Sequence, residues 1–471
     1  MILLVLGALF AVACAWAVQR WWLGLRLVLV LLVLEGAVRK WLLPEHQQLV
    51  YLAKDALLLA VYVGFIADRR HVRRVTIPPS IQLPLVLCMA WGALEIFNPK
   101  LPAVLVGLFG WKAYFWYAPL LWVVPAAFRD LEDLEKFLRR YLQLTLPVVA
   151  LGLVQFRAPA DSPLNRYAWG GEEGFRGIAT FGEAGAARVT GTFSYITGFS
   201  TFLVVAGVLL LVLLAGRDFR WRGNAWTWAA LGAVPLGVLV TGSRGPLILL
   251  AGLLPVLALL ARRGAVGVVA GVGRLLVVGG LLAAFVSFAG APALEAFSYR
   301  ARTSGEDLGT RMLAPFVEPV DLMGEVGLFG SGIGATHQAA PSLVPDLRPG
   351  SWLEGLVAEV ESSRVMIELG PLGFLLEYAC RVAIAGVALA GALRLATPRA
   401  RALALGAAFF CASQIPGTIV VNVTGGLYFW FLAGAYFLAQ ACDREGFRAS
   451  AARSAAAGVP RVAPLAMRGP G

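Results

Sequence analysis

The chain has 471 residues, 59% of them hydrophobic and only 14% charged, with a mean hydropathy of +0.75. That composition excludes an ordinary soluble domain and places the chain in a bilayer. The net charge of +12, from 40 basic and 28 acidic residues, would suggest nucleic acid in a soluble protein, but here the basic residues fall in short loops beside apolar segments. They report topology, and no nucleic-acid partner is expected.

The first apolar run, Ile2 to Val18, lacks a basic leader and passes through Arg20 into a second run, so it reads as a retained first helix. A helix crosses the hydrocarbon with about 20 apolar residues. On that measure spans begin near residues 2, 24, 50, 82, 111, 141, 193, 225, 245, 275, 364, 402 and 423. The expected fold is all-α: one multi-pass domain over residues 1–442 with about 12 to 14 transmembrane helices.

Every second loop is basic. Arg69, Arg70, Arg73 and Arg74 follow the third span, Arg129, Lys136, Arg139 and Arg140 the fifth, and Arg217, Arg220 and Arg222 the seventh. Arg262, Arg263 and Arg274, then Arg394, Arg399 and Arg401, and finally an Arg-rich tail continue the alternation. By the positive-inside rule these loops are cytoplasmic. The N-terminus and two long connections, 157–192 and 290–363, then face outward. Loops of that length are uncommon unless they are functional or disordered. Trp169, Phe175 and Phe181 in the first, and Phe316, Leu328, Phe329 and Trp352 in the second, predict short amphipathic helices on the membrane. The tail, 443–471, offers no periodic apolar face and is expected to be disordered. The five cysteines, Cys14, Cys88, Cys380, Cys411 and Cys442, have no paired spacing and suggest neither a disulfide nor a zinc site.

Arginine at an outward helix end runs against the topology rule and calls for another reason. Arg244, in Thr241-Gly-Ser-Arg-Gly-Pro246, sits in a connection too short to do more than turn between spans, and its guanidinium suits a phosphate or diphosphate at headgroup depth. Snorkelling to lipid phosphate is the structural alternative. Arg188, in Arg188-Val-Thr-Gly-Thr-Phe193, stands at another outward helix entrance where backbone N–H groups favour an anion; a loop salt bridge with Glu183 is the alternative. Arg311 opens a helix ahead of Gly327-Leu-Phe-Gly-Ser-Gly-Ile-Gly334 and is a third candidate anion ligand. The glycine run has no strand-to-helix setting, which rejects a nucleotide loop.

Candidate general bases on the outward side are Glu361, Glu359, Glu354, His337, Asp346 and the Glu172-Glu173 pair. Glu361 is the sharpest, opening a span three residues before Arg364; its alternative is an N-terminal helix carboxylate stabilised by the dipole. His337 comes second, weighed against a hydrogen-bonded surface histidine. Glu35 and Arg39, four apart near the outer end of the second span, and the Lys54-Asp55 pair are expected to pair with one another, with lining of the same outward cavity as the alternative.

Arg188-Val-Thr-Gly-Thr-Phe193 before a span, Thr241-Gly-Ser-Arg-Gly245 between spans, and one long outward loop ending in Glu361-Ser-Ser-Arg and Glu368-Leu-Gly-Pro-Leu-Gly373 follow one another in an order that resembles the O-antigen ligase and polymerase family of bacterial envelope glycosyltransferases. Glu35-Gly-Ala-Val-Arg-Lys-Trp41 and Trp111-Lys-Ala-Tyr-Phe-Trp-Tyr-Ala-Pro119 resemble members associated with exopolysaccharide polymerisation. Ligases of the family often carry His-Asn near the end of the loop, where this chain has Glu361-Ser362, which favours a polymerase-like reading.

The resemblance implies a glycosyltransferase C-type fold, a polyprenyl-diphosphate-linked oligosaccharide donor and acceptor, and no metal or other cofactor. It also implies the bacterial inner membrane, a site facing the periplasm, and as partners membrane lipids and the flippase and chain-length regulator of the same pathway. Arg188, Arg244 and Arg311 would hold the diphosphate, Glu361 or His337 would act as base, and Glu35, Arg39 and Arg364 would line the cavity. A ligase, a flippase of lipid-linked oligosaccharide and a scaffold subunit are the competing readings.

Overall fold

The computed structural model describes residues 2–68, 75–168, 178–183, 185–215, 225–260, 280, 290–303, 308–348, 350–353 and 355–456. Hydrocarbon offers backbone N–H and C=O groups no partner, so apolar segments of this length close their hydrogen bonds within helices. The N-terminal helices are α1 (Ile2–Gln19), α2 (Trp21–Ala37), which continues as a π-helical turn over Val38–Leu42, and α3 (Gln47–Ala67). Next come α4 (Pro79–Glu95), α5 (Val104–Phe115), α6 (Leu120–Ala127), α7 (Leu131–Leu142) and α8 (Thr145–Arg157). The central and C-terminal helices are α9 (Ile196–Ala215), α10 (Ala225–Thr241), α11 (Gly245–Leu260), α12 (Ala291–Thr303), α13 (Leu308–Val326), α14 (Ala340–Leu343), α15 (Glu361–Arg394), α16 (Pro398–Ser413) and α17 (Val423–Ala456).

Among the described residues five helical segments are long and apolar enough to cross a membrane, and a sixth forms if α5 and α6, bent by 42°, make one span. The chain is thus an all-α polytopic membrane protein. Several other expected spans form shorter helices, α4 and α10 of 17 residues and α11 and α16 of 16, and the span expected near 275 lies outside the described residues.

The α9 helix is central: 83% of its apolar window is buried, so protein rather than lipid surrounds it. It packs on α10, α11 and α16, while α17 packs on α6 and α16, and α15 on α4, α13 and α16. Small residues allow these close approaches, as in other helix pairs without a water-driven contact. A Cβ at Gly434 would meet the Leu120 carbonyl oxygen at 2.6 Å, and one at Gly406 would meet Val212 at 2.4 Å.

The loops sort into two ends. At one, Arg26 pairs with Asp133 at 2.8 Å, the Trp21 indole N–H donates to Asp68, and Asp443 accepts the N–H groups of Ala396 and Thr397. At the other lie residues 35–55, 155–168, 178–183, 185–195, 241–246, 329–337 and 414–422, joined by the bonds described below. Along the 21-residue α3 these two sets are roughly 30 Å apart. Those assignments match the alternation of loop charge, although the basic clusters at 69–74, 217–222 and 262–274 lie outside the described residues.

Two expectations change. The disorder expected over 443–471 is corrected for 443–456, because α17 runs on to Ala456 through an Ala-, Arg- and Glu-containing segment of high helix propensity, and residues 457–471 lie outside the described residues. Among its described residues the first long loop holds a short antiparallel pair, Thr180–Phe181 with Ala186–Ala187, and no amphipathic helix. Trp169 and Phe175 lie outside the described residues.

Candidate functional site

Two separate sequence motifs meet at one junction. Thr241 ends α10, Gly242 turns the chain at φ +64° under the Phe181 ring, and the Arg244 carbonyl accepts the N–H groups of Leu247 and Ile248 to start α11. Arg188 reaches this turn: its Nε donates to the Thr241 carbonyl at 3.0 Å and its Nη2 to Ser243 Oγ at 2.9 Å. The half-buried Arg244 and Arg188 are therefore anchored on the same six-residue turn.

A third motif clamps the Arg188 segment from the other side. The ammonium of Lys40, only 1% exposed, donates to Thr190 Oγ1 at 2.8 Å and to the Gly191 carbonyl at 2.6 Å, and lies over the Trp41 ring. Gln155 receives the Gly191 N–H at 2.8 Å, and Arg39 donates to Ser194 Oγ at 2.9 Å. Gly36 completes the contact: a Cβ there would lie 2.2 Å from the Ser194 nitrogen, so only glycine lets α2 approach this backbone.

From Arg39 an alternating chain of charges runs across the helices. Arg39 faces Glu35 at 3.7 Å, Glu35 faces Lys54 at 3.3 Å, Lys54 contacts Asp55 at 3.2 Å, and Asp55 pairs with Lys112. Tyr117 donates to the same Asp55 carboxylate at 2.8 Å. Low-dielectric surroundings make unpaired charge costly, which explains why these groups alternate in sign. With Lys40 included the cluster holds four cations against two anions, a surplus that favours an anionic ligand.

The second long loop joins through its glycines. The main chain of α15 breaks at Gly370, φ +66°, and the Ile367 and Glu368 carbonyls released by the break accept the N–H groups of Ser331 and Gly332. Glu368, buried, takes the Thr336 N–H and hydroxyl at 2.9 and 2.6 Å on one oxygen and the Tyr114 hydroxyl at 2.8 Å on the other. Arg364 donates to the Thr336 carbonyl, so α15 fixes the backbone next to His337 from two sides.

His337 Nδ1 accepts the Ala339 N–H at 3.0 Å, and its ring meets the Phe109 edge at 4.9 Å. Burial, with the charges of Lys112 and Arg364 nearby, pushes its pKa down to about 4. The neutral ring with Nδ1 occupied carries its proton on Nε2 and is a donor, not a base.

Glu361 does open α15, but as a saturated carboxylate. Oε1 accepts from Arg381 Nη2 and the Ile419 N–H, both at 2.9 Å, and Oε2 from the N–H groups of Val420 and Val421 at 2.9 and 3.0 Å. The side chain is 1% exposed, and Glu377 braces Arg381 from the same helix. This geometry argues against Glu361 as a base, since its lone pairs are committed and it has no approach for a hydroxyl.

The structure thus joins Arg188 to the Arg244 turn, Glu35 and Arg39 to the Arg188 segment, and Arg364 to the His337 backbone. Arg311 stands exposed on α13, the helix that packs on α15. Glu172, Glu173 and Glu354 lie outside the described residues. Lys40, Lys112, Gln155 and Glu368 were not singled out from the sequence; a charged or amide side chain inside an apolar run was the available signal. No protein-family model matches the chain, and no curated protein matches it.

Proposed function

We propose that the protein is a metal-independent glycosyltransferase of the bacterial inner membrane, polymerising polyprenyl-diphosphate-linked oligosaccharide repeat units at the periplasmic face. The observation that carries this reading is the convergence of Arg188, the Arg244 turn, Arg39 and Lys40 at one end of the helices, from motifs far apart in sequence. In the reaction an acceptor hydroxyl attacks the anomeric carbon, the bond from that carbon to the diphosphate oxygen breaks, and negative charge grows on the diphosphate. Fixed guanidiniums in a water-poor site stabilise that charge without reorganising. Arg188 and Arg244 are the residues for this role; Arg311, exposed on its own helix, is a weaker one.

Substituting Arg244 by Ala in the producing cell tests the assignment. Polymer is lost while the protein remains in the membrane, whereas Arg70→Ala keeps polymer. Normal polymer in the Arg244→Ala strain overturns the site. Purified protein given lipid-diphosphate oligosaccharide produces a ladder if it polymerises, a single shift if it transfers the glycan to another lipid, and no new species if it only moves the substrate.

A further inference from the structure

Glycosyl transfer from a lipid diphosphate needs a base for the acceptor hydroxyl, and each carboxylate of the cluster can be asked whether it has capacity left. Glu361 has four donors on its two oxygens and Glu368 has three. Asp55 is held by Tyr117, Lys54 and Lys112 and is 4% exposed. Glu35 differs: its side chain is 11% exposed, its carboxylate oxygens face Arg39 at 3.7 Å and Lys54 at 3.3 Å, and among the described residues that carboxylate accepts no hydrogen bond. A buried carboxylate ordinarily fills its lone pairs, so one left with ion-pair contacts alone retains acceptor capacity for a ligand O–H.

Its placement points the same way. Glu35 precedes Gly36, whose missing Cβ presses this turn of α2 onto the backbone of Thr192, Phe193 and Ser194. One turn later Arg39 bonds Ser194. Glu35 therefore stands beside the segment that carries Arg188, on the same end of the molecule as the Arg244 turn. Two flanking cations hold it in place, and the Lys54–Asp55–Lys112 chain behind it holds their geometry.

From these contacts we infer that Glu35 is the general base of the transfer, an inference that rests on the glycosyltransferase reading above. Its carboxylate takes the proton of the acceptor hydroxyl as that oxygen bonds to the anomeric carbon. The diphosphate departs with the electron pair of the broken carbon–oxygen bond, held by Arg188 and Arg244. The proton ends on Glu35 and passes to solvent after product leaves.

The test uses the full chain in lipid nanodiscs with polyprenyl-diphosphate oligosaccharide as donor and acceptor. Glu35→Gln loses about 100-fold or more in single-turnover rate, in the range of general-base removal. It binds donor as tightly as the parent and loses the acidic limb of the pH–rate profile. Glu35→Asp keeps the charge between Arg39 and Lys54, folds, and turns over slowly. Glu35→Ala regains rate with added formate, which a purely structural role does not do. Parental rates and pH profiles in Glu35→Gln or Glu35→Asp overturn the inference, as does loss of donor affinity without formate rescue. A parent protein that leaves every lipid-diphosphate oligosaccharide unchanged overturns the glycosyltransferase reading itself.

Discussion

At the scale of single residues the decisive quantity is how many hydrogen bonds a buried carboxylate already makes. Glu361 satisfies Arg381 and three consecutive backbone N–H groups, so it joins the start of α15 to the 419–421 turn before α17. Removing one member of a buried charge pair costs about 3–5 kcal/mol, and each orphaned N–H adds about 1–3 kcal/mol. Glu361→Ala is therefore expected to lower the melting temperature of the detergent-purified protein sharply; an unchanged melting temperature sinks the structural role. His337 yields a pH prediction with a definite sign. Its folded-state pKa of about 4 lies below the usual histidine value of about 6.5, so the unfolded chain takes up the proton first as pH falls. Stability contributed by the neutral ring is whole above about pH 6.5 and is lost between about pH 6.5 and 4. A His337→Gln protein melts with a flatter dependence across that window, and equal slopes for the two proteins refute the buried neutral ring.

At the scale of elements the second long loop is organised by a helix that breaks. Pro371 follows Gly370, whose φ of +66° releases two α15 carbonyls, and the loop backbone supplies the missing donors. Gly330, Gly332 and Gly334 all have positive φ, between 67° and 95°, a region closed to most side chains. Close approach adds a second constraint. A Cβ on Gly334 would lie 2.6 Å from the Val106 carbonyl oxygen and 2.7 Å from Gly110 Cα, and neither is a flexible side chain that could yield. Gly334→Ala is thus expected to unseat the loop from α5, expose the segment around His337 to protease from the outer side, and abolish activity. Protection equal to the parent chain refutes this docking. The glycine run serves a backbone inserted between α5 and α15, which explains glycines without a phosphate-binding strand and helix.

At the scale of the whole molecule, the apolar runs and the basic alternation were legible because each is a local property of the chain. Arg188 and Arg244 were legible as separate helix-end arginines, and their meeting on one turn was not, since nothing in either motif encodes the 53 residues between Arg188 and Thr241 closing. Lys40 was hidden for a related reason: its two acceptors are a Thr hydroxyl and a carbonyl 150 and 151 residues away, and neither is an acid whose spacing would announce the contact. The saturation of Glu361 was equally invisible, because three of its donors are backbone groups. The two-ended sorting of contacts turns the charge alternation into a labelling prediction. Single cysteines are placed in a chain whose five native thiols are replaced, at Ser342 near the glycine-run loop and at Ala396 beside Asp443. A membrane-impermeant maleimide added to intact cells with permeabilised outer membranes should label position 342 and spare 396 until the inner membrane is opened. Helices that span the bilayer in alternation cannot give both positions the same accessibility, because the bonds of Asp443 and those of the glycine-run loop lie at opposite ends of α15. Labelling of 396 alone reverses the orientation and places the Arg188–Arg244 junction in the cytoplasm, where a periplasmic polymerisation site has no place.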